Sequence, residues 1–176
     1  VVRIDHFIGI VRYYAIPAEG VPVDGAFRKG PGEKLIKAID EAIGDAKVIA
    51  EDLGVVVPGV RQLLKQSGYP GMKILEFAFD GKRDNEYLPH NYERNCVVYS
   101  GTHDNETLLG YFDSLPEEGY EYLLDYTGLC ISDRICSEFK EKLANAVIRL
   151  AYQSVADTVI LQMQDILKKD NEARMN

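Results

Sequence analysis

Short apolar runs of strand length recur along the chain, separated by stretches in which apolar residues return every three or four positions. The runs fall at 1–4, 48–50, 74–79, 96–99 and 158–161. Strands alternating with helix-length amphipathic segments predict β/α units, and hence an α/β fold built on a parallel sheet. Helices are expected at EKLIKAIDEAIG, at the segment that opens at Pro58 and closes at Gly68, near 106–112, and over a long amphipathic stretch from 133 to 155. The Gly/Pro-rich stretch 18–32, ending in KGPG, reads as a long loop, and the Tyr-rich stretch after 112 as a looser segment. The chain shows neither an internal repeat nor a low-complexity tract.

Acids gather where the predicted strands end. Asp5 follows VVRI, Glu51 and Asp52 follow VIA, and Asp104 follows VVYSGTH. In a parallel α/β barrel, active-site residues come from the C-terminal ends of different strands, so such acids would converge. Side chains two apart on a strand share a face, which sets Arg3 with Asp5, Ile49 with Glu51, and Thr102 with Asp104 if the strand runs that far. An arginine beside a carboxylate favours its ionised form, so Asp5 is the candidate for a group that must stay charged. Glu51, after an apolar run, is the candidate for a group held protonated. Each acid also has a plainer reading, as a helix N-cap or half of a surface ion pair. Asp52, one residue off Glu51, points to the other face and keeps that plainer reading. His6 and His103 beside carboxylates leave a metal site open as an alternative, while Phe77 and Phe79 suit a core, with the one at the strand's end able to pack on a pyranose ring.

Composition narrows the partners. The chain has 176 residues, 46% of them hydrophobic, enough for a sizeable core. Its net charge of −8 argues against nucleic acid and anionic membrane as partners and favours a neutral polar ligand. No apolar run reaches the roughly 18 residues of a membrane span. Cys96, Cys130 and Cys136 are odd in number and lack CxxC spacing, which suggests reduced thiols and a cytoplasmic location rather than disulfides or zinc. Carboxylates gathered with an arginine and histidines, without phosphate-binding glycines, suggest acetal chemistry. In retaining glycoside transfer one carboxylate attacks the anomeric carbon while another, ~5 Å away, protonates the leaving oxygen, and no cofactor or metal is needed.

The motifs VRIDHF, AEDLG, PGMKILEFAFD, YLPHNYERN, GTHDNET and EARMN, in this order over essentially the whole chain, resemble the 4-α-glucanotransferases called amylomaltases or disproportionating enzymes, family 77 relatives of the α-amylases. RxDH and HD recur across the wider α-amylase clan, whereas AEDLG, GMK, PHNY and EARMN are specific to the glucanotransferase branch. The resemblance implies Asp5 as nucleophile, Glu51 as general acid/base and Asp104 as transition-state stabiliser. It implies Arg3 orienting Asp5, His103 on sugar hydroxyls, Phe77 on the acceptor side, and Arg174 and Asn176 in a loop over the glucan. The reaction implied is retaining disproportionation of maltooligosaccharides and α-1,4-glucans. A related hydrolase, and a piece that binds glucan without turnover, remain alternatives.

The resemblance also implies part of a (β/α)8 TIM barrel, with the five strands standing for about the fourth to the eighth. Residues 1–176 are therefore expected to be the C-terminal portion of a catalytic domain, with the N-terminal half of the barrel as its missing partner and with sheet edges exposed in isolation. The chain departs from the family pattern at Gln162, where a proline is usual, at Phe27, where a tryptophan is common, and at LKKDN, where a Gly-containing turn is usual.

Overall fold

The structure, a computed structural model, describes residues 1–54, 57–130, 132, 136 and 138–174. The chain divides into two compact units, Val1–Met72 and Lys73–Asn176.

In the first unit β1 (Val2–Ile4) pairs in parallel with β4 (Val48–Ala50), Arg3 opposite Ile49 and Ile4 opposite Ala50. All of β4 is buried, as a strand covered on both faces requires. Between them lie α1 (Ile8–Val11), β2 (Arg12–Ala15), β3 (Ala26–Lys29) and α2 (Glu33–Ile43), and α3 (Pro58–Ser67) follows. The core gathers Phe7, Ile10, Ile36, Val48, Ala50, Val60, Leu63 and Tyr69. α3 is bounded as its sequence foretells: Pro58 occupies the first turn, where a missing N–H costs nothing, and Gly68, at φ 69°, turns left-handed and donates its N–H to Leu64.

The expected long loop 18–32 is corrected: β3 pairs antiparallel with β2 inside it. Gly and Pro content concealed a ribbon held by side chains across strands. Tyr14 and Phe27 meet edge to face at 5.1 Å, and the Arg12 guanidinium lies over Phe27 at 4.4 Å.

β5 (Gly71–Ile74) carries the chain from one unit to the next. It belongs to a three-stranded sheet of order β5-β6-β7, in which β6 (Cys96–Tyr99) and β7 (Thr158–Ile160) are parallel. The predicted strand 74–79 is thus displaced. The chain leaves the sheet after Ile74 in a 3-10 turn, Leu75–Phe77, that buries Leu75 and Glu76. The predicted helix near 106–112 is α4 (Leu108–Ser114), capped by Thr107 Oγ1, which accepts the Gly110 N–H. The Tyr-rich segment is not loose but α5 (Glu117–Thr127). Two acids stand in its first turn, and Tyr120, Leu123 and Leu124 fall on one buried stripe.

The long helix is α6 (Phe139–Gln153), and α7 (Met163–Ile166) lies near the chain's end. The expected start of the long helix at 133 lies outside the described residues. α4, α5 and α6 build the second core around Leu108, Leu123, Leu143 and Val147. Among the described residues no helix is long and apolar enough to cross a membrane. Cys96, Cys130 and Cys136 are not joined in disulfides.

Leu143 is fully buried in α6. Leu143→Ala is expected to cost about 2–5 kcal/mol through lost contacts and a residual cavity, read as a lowered denaturant midpoint with unchanged slope.

Candidate active site

In the first unit, the β1/β4 pairing continues one step past the assigned strands. The Glu51 N–H donates to the Ile4 carbonyl at 2.9 Å, and the register carried one residue on sets Asp5 opposite Glu51. A regular parallel ladder would next bond the His6 N–H to the Glu51 carbonyl. Instead the Phe7 N–H takes that carbonyl at 2.9 Å, and the His6 N–H turns to the Glu51 carboxylate, meeting Oε2 at 2.6 Å. The extra residue is a bulge, and its cost is visible in the positive φ of 49° at His6, of the order of 1–3 kcal/mol for a non-glycine residue. Asp5 therefore lies in a segment whose neighbours on both sides are bonded to Glu51.

Arg3 and Asp5 share a face as their spacing predicts. Arg3 Nη2 meets Asp5 Oδ1 at 2.9 Å, with the Asp5 side chain 75% exposed. The apolar surroundings expected for Glu51 are corrected. Its carboxylate is half-buried and held by two backbone amides, His6 N–H on Oε2 and Leu53 N–H on Oε1 at 3.0 Å. One lone pair on each oxygen is thereby used. Asp52 accepts the Met72 N–H at 2.8 Å, a structural use in keeping with its place off the Glu51 face.

In the second unit, β6 ends at Tyr99, so Thr102 and Asp104 do not share a strand face as the sequence suggested. Residues 102–105 form a turn. Asn105 Oδ1 accepts both the backbone N–H and the hydroxyl of Thr102, at 2.9 and 2.8 Å, and the Asn105 N–H returns to the Thr102 carbonyl at 3.0 Å. Asp104 stands exposed at its tip with His103 Nε2 3.4 Å from Oδ1. Phe77, expected at a strand's end, sits on the 3-10 turn, 43% exposed and edge-on to Tyr87 at 5.4 Å. Arg174 is half-buried with its Nε unpaired, and Asn176 lies outside the described residues. Among the described residues no group of three or more His, Cys, Asp and Glu is arranged to hold a metal ion.

Sequence reasoning missed the polar frame behind this turn. Gln162 Nε2 donates to the carbonyls of Thr102 and Glu106, and Asn171 bonds the Thr107 N–H and the Glu106 carboxylate. Asp165, fully buried, accepts the Leu108 N–H and the Ser100 hydroxyl. Burial pushes its carboxyl up, those two hydrogen bonds pulling the other way. Glu76 is buried with Oε1 unpaired, and burial, reinforced by the negative charges of Asp165 and Glu106, pushes its carboxyl up to about 9. A lone acid inside the apolar run ILEFAFD was the available signal.

A Glu76 held neutral makes folding stability fall with rising pH. The unfolded chain releases this proton near 4.5, the ordinary glutamate value, and the folded one near 9, so the folded state binds more protons between those values. Glu76→Gln is therefore expected to raise the melting temperature at pH 8 and hardly at pH 4, a gain of about 1 kcal/mol or more at the higher pH. Thermal scans across that range would show it.

With the geometry in place, comparison with known proteins gives concordant matches. The model of a family described as 4-alpha-glucanotransferase matches residues 1–176. The chain is 45% identical over 175 residues to the chloroplastic/amyloplastic 4-alpha-glucanotransferase DPE1 of Arabidopsis thaliana, covering 99% of this chain and 29% of that protein. It is 44% identical over 179 residues to the 4-alpha-glucanotransferase of Clostridium butyricum, covering 100% of this chain and 35% of that protein. Among solved structures it resembles the amylomaltase from Streptococcus agalactiae in complex with acarbose, with TM-score 0.85 and 38% identity, over 99% of this chain and 34% of that one. The chain thus spans about a third of the length of these relatives.

Proposed function

We propose, from the premise that this chain belongs to the 4-alpha-glucanotransferase family, that it carries the reacting carboxylates of a retaining transferase acting on α-1,4-glucans. The observation that carries the reading is the Glu51 backbone and carboxylate bonded to the residues on either side of Asp5. It sets Asp5 opposite Glu51 at the ends of neighbouring parallel strands, which supports a pair of carboxylates for double displacement at an anomeric carbon.

In this mechanism an Asp5 oxygen attacks C1 of the donor glucan. The bond from C1 to the leaving O4 breaks, and Glu51 gives its proton to that oxygen. A covalent glucosyl ester on Asp5 remains. The 4-hydroxyl of a second glucan then attacks C1, Glu51 takes its proton, and Asp5 is released as carboxylate. Arg3, ion-paired to Asp5, orients the nucleophile. Asp104 is assigned the stabilisation of the oxocarbenium-like transition state and His103 the sugar hydroxyls. Phe77 would border the acceptor, with Arg174 and Asn176 over the glucan. The parallel pairs β1/β4 and β6/β7 support reading residues 1–176 as the C-terminal portion of a (β/α)8 barrel. The partners are then maltooligosaccharides and the rest of that barrel. Cysteines outside disulfides fit a reducing compartment, for which we take the cytoplasm.

The protein, expressed with all the sequence its gene encodes, should convert maltotriose to glucose together with maltopentaose and longer chains, resolved by chromatography. Asp5→Asn should abolish both, and Glu51→Gln should lower turnover on the order of 10²–10⁴-fold. Shortened products alone would show a hydrolase, and no turnover with retained glucan binding would show a binding piece.

A further inference from the structure

Asp104, with its side chain 72% exposed, occupies a turn between the end of β6 at Tyr99 and the start of α4 at Leu108. A carboxylate on such a turn keeps its place only as well as the turn's main chain does. Inside the turn, Thr102 and Asn105 bond one another. From outside, one amide group spans it end to end: Gln162 Nε2 donates to the Thr102 carbonyl at 3.1 Å and to the Glu106 carbonyl at 3.3 Å. Gly101 makes room for this reach. A Cβ there would stand 2.9 Å from Gln162 Nε2 and 2.5 Å from Glu76 Oε1.

We propose that Gln162 is the positioning residue of the Asp104 turn. Both of its donors are spent on backbone carbonyls flanking Asp104, so it acts through the turn. Asn171 serves a different point, the Glu106 side chain and the Thr107 N–H at the head of α4. A proline at 162, the residue expected there from the resemblance, has no side-chain donor and could not make this clamp. The inference deepens the transferase reading and rests on it for its catalytic consequence.

The test is Gln162→Met, which keeps length and volume and removes both donors. In the protein with all its encoded sequence, amide hydrogen exchange at residues 102–105 should accelerate about tenfold or more, with exchange in α6 unchanged. In the maltotriose assay kcat should fall on the order of 10- to 100-fold with KM little moved, since a small misplacement of a charge acts on the transition state. In an Asp104→Asn background the same substitution should cost almost nothing further, because the group it positions is already gone.

Unchanged exchange in the turn overturns the clamp whether or not the protein is active. Faster exchange with wild-type kcat, or a full additional loss on top of Asp104→Asn, overturns its role in the reaction. A wild-type protein that makes no transfer products, with the turn still loosened in the variant, sinks the transferase reading and with it the catalytic consequence, and leaves the clamp standing.

Discussion

The backbone of Glu51 bonds the β1 segment twice, through its N–H to Ile4 and its carbonyl to Phe7, and the rest of the first unit's chemistry depends on that double attachment. A regular ladder would have spent the His6 N–H on the carbonyl and left the Glu51 side chain to find its own partners. The bulge frees that N–H, and the carboxylate takes it. Backbone strain at His6 is thus exchanged for a fixed acid beside Asp5, a use of strain common where geometry matters more than stability. The buried β4 strand, with Val48 and Ala50 in the core, anchors the arrangement from below.

The second unit solves its problem with buried side chains rather than with a strand. Asp165 is satisfied by Leu108 and Ser100 and so ties the start of α4 to the end of β6. Glu76 has an unpaired oxygen and like charges nearby, and the unit accommodates it by keeping it protonated. A neutral acid among carboxylates leaves Gly101, Gln162 and the 102–105 turn packed without an uncompensated buried charge.

Exposure divides the acids into groups. Asp5 and Asp104 are well exposed, and each has a cation or imidazole at its side. Glu51, half-buried, is held by amides, whereas Glu76 and Asp165 are buried and structural. A charge of −8 spread over such a chain is compatible with the neutral polyhydroxyl substrate of the proposed reaction, which brings no like charge to repel.

The sequence by itself determined the parallel strands β1, β4, β6 and β7, the helices α2 and α3, the Arg3–Asp5 pairing and the acids Asp5 and Glu51 just past β1 and β4. Each of these is local: apolar runs, caps and two-residue alternation act over a few positions. Tertiary structure alone decided the β2/β3 ribbon, where Gly and Pro hid the Tyr14–Phe27 and Arg12–Phe27 contacts, and the early end of β5, set by burial of Leu75 and Glu76. It also decided the bulge at His6 and the reach of Gln162 to Thr102, sixty positions away along the chain. Those features depend on which backbone groups are left unbonded once strands and helices are packed, and no spacing in the sequence records that.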